Sequence, residues 1–133
     1  MVRRILDQVC RHPPVLAVVD DYPAVRHALS FAFETAGISV ATFADPESAL
    51  AASQQHDWRC LIIDQKLPQM NGLDLLGRLR VAGVSAPGIL ITTRPSRATR
   101  ARAFAAGVEI IEKPLLDNQL AMKVRELMDS IPR

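Results

Sequence analysis

A chain of 133 residues fits one domain and leaves no room for two of ordinary size. Apolar types make up 49% and charged types 23%, the balance of a globular chain and not of a disordered or fibrous one, and no apolar run approaches the ~20 residues of a membrane span. Net charge is only +2, and two cysteines, Cys10 and Cys60, make neither a disulfide framework nor a four-ligand zinc site. In chain order, residues 1–14 read as an extension, with a short helix over Val2–Cys10 ended by Pro13-Pro14. Asp7, Gln8, Arg11 and His12 interrupt any signal-like apolar stretch there, so a cytoplasmic location is expected.

Short apolar runs then alternate with longer helical patterns. The runs are Val15–Val19, Ile38–Phe43, Cys60–Ile63, Ile89–Thr92 and Val108–Ile111. The first, third and fourth are continuous, as strands covered on both faces should be. The other two alternate apolar and polar residues, the pattern of sheet edges. Helical stripes lie between them. Val25, Ala28, Leu29, Ala32, Phe33 and Ala36 follow Pro23 and stop at Gly37. Asp45-Pro46 reads as a cap followed by proline at the first helical position. Leu73–Ala82 ends at Gly83 and Ser96–Ala106 at Gly107. A last helix opens at Asp117 and carries Leu120, Val124, Leu127, Met128 and Ile131. The expectation is an α/β (βα)5 domain over residues 15–131: a doubly wound parallel five-stranded sheet with helices on both faces.

Such sheets place chemistry outside the carboxyl ends of the strands, where strand order reverses. Asp20-Asp21 follows the first strand, Asp64 the third, Thr92-Thr93 the fourth and Lys113-Pro114 the fifth. With the continuous strands central, three carboxylates converge at one end of the sheet. Like charges that close need a counter-ion. A divalent cation suits oxygen ligands, and Mg²⁺ needs only one or two carboxylates plus water. Lys113 adds a second positive charge and Thr92 a hydroxyl, giving a site shaped for a phosphoryl group. Taken singly, each residue has an ordinary structural reading as a helix cap, a turn or a strand position. The five elements in order after their strands do not.

That set, with the segment Asp64-Gln-Lys-Leu-Pro-Gln-Met-Asn-Gly, resembles the receiver domain of two-component response regulators over roughly Val15 to Ile131. The resemblance implies the flavodoxin-like strand order 2-1-3-4-5. It implies that Asp64 accepts a phosphoryl group from a phosphohistidine on a sensor histidine kinase. Asp21, Asp64 and the backbone carbonyl of Lys66 would ligate Mg²⁺, with Asp20 acting largely through water. Lys113 would pair with Asp64, Thr92 would move to the phosphoryl group, and the Lys113–Pro114 bond would be cis. The domain would be a phosphoprotein switch and not an enzyme.

Some positions depart from the family pattern. Ile110 stands where Tyr or Phe is usual, and isoleucine has no ring to swing. Thr93 replaces a smaller residue, and Lys66 lies on the rim of the site. Between Leu75 and Val108 there is no acidic residue but six arginines, Arg78, Arg80, Arg94, Arg97, Arg100 and Arg102. In the family the fourth helix, fifth strand and fifth helix form the output face, so a homodimer pairing these arginines with acids of a second copy is expected. Direct nucleic-acid binding is not, for want of aromatic interleaving and of a helix-turn-helix; DNA would be reached through an output domain. The stretch Ile111-Glu112-Lys113-Pro114-Leu115 looks like receivers that precede LuxR-type DNA-binding domains. Phosphate-cradling glycine motifs are missing after the first strand. Asp64 follows the third strand with no second Asp two residues on, unlike the usual aspartyl phosphatases. Flavin-stacking aromatics are few. The remaining alternative is a phosphorylation-independent adaptor on the same fold.

Overall fold

The computed structural model describes residues 15–55, 57–115 and 118–129. The Val2–Cys10 helix, Cys10, Asp117 as a helix start and Ile131 lie outside these residues. Five strands alternate with five helices: β1 (Val15–Val19), α1 (Pro23–Thr35), β2 (Ser39–Phe43), α2 (Pro46–Ala52), β3 (Trp58–Asp64), α3 (Gly72–Val81), β4 (Gly88–Thr92), α4 (Arg97–Ala105), β5 (Glu109–Glu112) and α5 (Gln119–Asp129). The strands pair in parallel in the order β2-β1-β3-β4-β5. The continuous runs are the three central strands and the alternating ones are the edges, as expected.

Alternation of side chains across the sheet divides the core in two. Leu16, Val18, Cys60, Ile62, Ile89 and Ile91 face α1 and α5, where they meet Leu29, Phe33, Leu120 and Val124. Ala17, Val19, Leu61, Ile63 and Leu90 face the opposite side, against Leu73, Leu76 and Leu79 of α3, Ala49 of α2 and Ala103 of α4. Cys60 is fully buried, as its place in an apolar run indicates, and burial pushes its thiol up to about 12. The α1 stripe is narrower than expected. Leu29 and Phe33 are buried, whereas Ala28, Ala32 and Ala36 are exposed, the first two lining an open cleft towards α5.

Local chemistry sets the helix ends. Asp45 caps α2 by accepting from the Ser48 N–H at 2.8 Å, Asn71 caps α3 through the Asp74 N–H at 2.8 Å, and Ser96 caps α4 through the Thr99 N–H at 3.0 Å. Tyr22 occupies the cap position of α1 with no side-chain bond, and Pro23 fits the first turn, where no N–H is needed. No helix among the described residues is long and apolar enough to cross a membrane.

Candidate phosphoryl-acceptor site

Asp20, Asp64, Thr92 and Lys113 all sit where a strand ends, and the sheet ladder holds each of them there. The Asp20 N–H donates to the Phe43 carbonyl at 3.0 Å, the Gln65 N–H to Ile91 at 2.9 Å, and the Lys113 N–H to Thr92 at 2.8 Å. Asp64 pairs in register with Ile91 on β4, and Thr92 with Glu112 on β5. Asp20, Asp64, Thr92 and Lys113 are therefore placed by backbone pairing at the strand ends.

The structure brings Asp20, Asp21 and Asp64 together. One carboxylate oxygen from each lies within 4.8 Å of the others. Asp20 is fully buried and Asp64 is 5% exposed, whereas Asp21 opens to solvent. Asp20 Oδ1 accepts from the Tyr22 N–H at 2.9 Å. Its Oδ2 is buried without a hydrogen bond. The nearest counter-charge is Lys113 Nζ, 3.4 Å from Asp20 Oδ2 and 3.4 Å from Asp64 Oδ2. Lys113 thus bridges two carboxylates, where the sequence pointed only to a pairing with Asp64. Its peptide bond to Pro114 is cis, as expected.

Burial and then the neighbouring Asp20 charge raise the Asp64 carboxyl above the usual range, and Lys113 acts in the opposite direction. The orphaned Asp20 oxygen and the crowding of three carboxylates both fit a bound divalent cation. Oxygens that ligate one Mg²⁺ at about 2.0–2.1 Å must lie within about 4.2 Å of one another, so carboxylate oxygens already gathered within 4.8 Å are close to the reach of a single ion. Asp20, Asp21 and Asp64 are the residues that could hold it.

Thr92 is buried at 4%, while Thr93 beside it is exposed. Lys66 lies on the rim: it is exposed, and its N–H is 3.5 Å from Asp64 Oδ1. Ile110 is half-buried and packs on the α2–α3–α4 side of the sheet, the side that Thr92 shares with Leu90. Among the described residues two non-glycine residues adopt positive φ, Gln69 at 75° and Arg94 at 45°. They sit in the two loops that follow Asp64 and Thr92, so the strained backbone flanks the site.

Three supporting residues escaped the sequence reading. Arg26 of α1 donates from Nη1 to the Asp20 carbonyl at 2.8 Å. Gln65 accepts twice from the start of α3: its carbonyl takes the Gly72 N–H at 2.9 Å and its Oε1 the Leu73 N–H at 3.1 Å. Gly72, which in sequence closes the segment carrying the resemblance and reads otherwise as part of a turn, is a close-approach residue. A Cβ there would lie 2.5 Å from the Asp64 carbonyl oxygen and 2.9 Å from Ile63 Cγ2. The Asn-Gly pair at a helix start and its place in that segment hinted at it, but neither showed the contact.

The family model that describes the response regulator receiver domain matches residues 16–125, nearly all of the described chain. The chain belongs to the response regulator receiver family. Among curated proteins it is similar to the probable transcriptional regulatory protein TcrX of Mycobacterium tuberculosis, at 31% identity over 117 residues, which is 87% of this chain and 50% of TcrX. Among solved structures it resembles a CheY-like receiver domain protein of Methanospirillum hungatei, with a TM-score of 0.81, 26% identity, and coverage of 87% of this chain and 94% of that one. It also resembles the response regulator TrrA of Thermotoga maritima, solved in complex with Mg²⁺–BeF, with a TM-score of 0.74, 26% identity, and coverage of 86% and 99%. The chain spans about half the length of the curated relatives it matches.

Proposed function

We propose that this receiver, taken as residues 15–131, accepts a phosphoryl group on Asp64 from a histidine kinase and works as a protein switch, not as an enzyme. The observation that carries this reading is the convergence of Asp64 with Asp20, Asp21 and Lys113 at the strand ends. An Asp64 carboxylate oxygen forms the new P–O bond as the P–N bond of a phosphohistidine breaks, and the imidazole leaves. A bound cation, Mg²⁺ in this reading, would supply charge neutralisation to the phosphoryl oxygens. Asp21, Asp64 and the Lys66 backbone carbonyl would hold it, with Asp20 acting largely through water. Lys113 favours the ionised form of Asp64 before transfer and can turn to the phosphoryl oxygens afterwards. Thr92 offers its hydroxyl from the neighbouring strand end. A loosely bonded, strongly charged group needs this positioning and neutralisation more than covalent help.

The likeness to transcriptional regulatory proteins of twice the length supports an output through DNA by a separate domain, of the LuxR type in this reading. A homodimer through α4, β5 and α5 has a different basis from the one the charges indicated. Arg100 already pairs with Glu112 at 2.7 Å within the chain, and Lys123 pairs with Glu109 at 2.9 Å. The apolar component is what favours it: Phe104, 87% exposed, stands beside half-buried Ile110.

Intact mass after incubation with Mg²⁺ and acetyl phosphate, beside an Asp64→Ala control, tests the reading. One phosphoryl group on the parent and none on the control is expected, with sedimentation of the same samples shifting towards a dimer. No addition to the parent, with no Mg²⁺ binding, would leave a phosphorylation-independent adaptor. A monomer in both samples would remove the dimer alone.

A further inference from the structure

The solvent-facing side of α3 is interrupted by a glycine that nothing in the fold requires. Gly77 is exposed, has an ordinary helical backbone, and a Cβ built on it would meet nothing within 4 Å. Glycine in an exposed helix interior costs about 1 kcal/mol relative to alanine. What the missing side chain does is open the surface. Two depressions, of about 760 and 440 Å³, meet along Leu73 and Gly77. One extends over Met70 and Leu50 to Val81, and the other over Leu76 to Ala105 and Ala106 of α4. Val81 at the end of the helix is 90% exposed.

The rim of this groove is basic. Arg78, Arg80 and Arg102 line it, and its one acid, Asp74, is already held by Arg102 at 3.1 Å. Arg80 turns its Nη1 to the Val84 and Ala86 carbonyls at 2.9 and 2.7 Å. Arg78 has no ion-pair partner among the described residues, and no acid occurs in sequence from Leu75 to Val108 to supply one. An apolar floor, a positive rim and a gap that lets another backbone come close together define the complementary shape. Helix axes pack 8–10 Å apart depending on the side chains between them, and glycine permits the near end of that range.

We propose that the α3 groove centred on Gly77 docks an acidic amphipathic helix of a partner protein. Its apolar stripe lies over Gly77 and Val81, and its carboxylates face Arg78, beside the Arg102–Asp74 pair. No aromatic side chain lines the groove, which disfavours base stacking and hence single-stranded nucleic acid. The surface is separate from the carboxylate cluster, so the inference stands whether or not Asp64 accepts a phosphoryl group.

Fluorescence anisotropy with the full 133-residue chain tests it. The probe is a labelled helical peptide of about 18 residues, five turns, with leucine at i, i+3, i+4 and i+7 spacing and glutamate elsewhere. Its controls are the same peptide with lysine for glutamate, and a DNA duplex. The acidic peptide should bind at least about tenfold tighter than the basic one, a difference of about 1.4 kcal/mol. Gly77→Leu fills the groove and should weaken binding about tenfold while holding or raising Tm, because leucine is the better helix former. Arg78→Glu should weaken it similarly. Equal binding of both peptides, undiminished binding by Gly77→Leu, or no binding of the acidic peptide overturns the proposal. Tighter binding of the duplex than of the acidic peptide assigns the surface to nucleic acid instead.

Discussion

Asp64 is held between burial and the Asp20 charge, which disfavour its ionised form, and Lys113, which favours it. Its carboxyl is raised in the folded state, so between the ordinary value of 3.8 and that raised value the native state binds more protons than the unfolded chain. Stability therefore falls as pH rises through this window and levels off above it. Below 3.8 both states are protonated and the group contributes nothing. Asp64→Asn keeps the shape and removes the charge. Measured in a chelator, to keep cations out, the variant should be more stable than the parent at neutral pH, with about 4 °C of Tm for each kcal/mol relieved. That advantage should shrink as the pH is lowered through the window towards 3.8. A parent that gains no stability relative to Asp64→Asn on acidification would show that Lys113 fully offsets the burial of the carboxylate.

At the scale of elements, the site depends on how closely α3 sits against β3. Gly72 begins α3, and its N–H reaches back to the Gln65 carbonyl at 2.9 Å. The helix start rests directly on the strand end that carries Asp64, with Ile63 Cγ2 and Leu90 Cδ1 closing the remaining space. A methyl group here has backbone on one side and core on the other, so α3 must move outward. Gly72→Ala should destabilise the protein by about 2–3 kcal/mol, the upper part of the range for overpacking. It should also slow phosphorylation by acetyl phosphate, because the Asp64 carbonyl is the atom displaced. Denaturant unfolding and the initial rate of mass increase check the two effects separately. Loss of stability at an unchanged rate would show that α3 absorbs the methyl group without moving the acceptor. α4 contrasts with α3. It buries only Ala103, while α3 buries Leu73, Leu75, Leu76 and Leu79 as well as Gly72. Helices anchored by so few apolar contacts open at low free-energy cost, which suits the switch proposed for this face.

Across the whole molecule, the central and edge positions and the placing of Asp20, Asp64, Thr92 and Lys113 at strand ends were readable from hydrophobic periodicity and punctuation, while the full strand order followed from the family resemblance. Those features depend on which residues are buried, and burial is written into the sequence pattern. The remainder depended on close contacts between segments far apart in sequence. The bridging of Asp20 by Lys113, the hold of Arg26 on the Asp20 carbonyl and the tight seat of Gly72 leave no periodic trace. The charge pattern likewise did not show that Arg100 and Arg102 have acids within the same chain, at Glu112 and Asp74. The carboxylate cluster that could hold a cation depends on tertiary pairing, since its residues come from two strand ends and converge only when β1 and β3 are paired. The unfolded chain carries the same aspartates without that convergence, so a cation that binds the native state stabilises it by mass action. At Mg²⁺ about one hundredfold above its dissociation constant the gain is about 2.7 kcal/mol, or roughly 10 °C of Tm in a domain of this size. Asp21→Asn removes an exposed ligand with little effect on the core, and should lose most of that Mg²⁺-dependent rise while its Tm in chelator stays near the parent's. If the variant kept the full rise, the cation would be held elsewhere, and the cluster at the strand ends would be balanced by Lys113 alone.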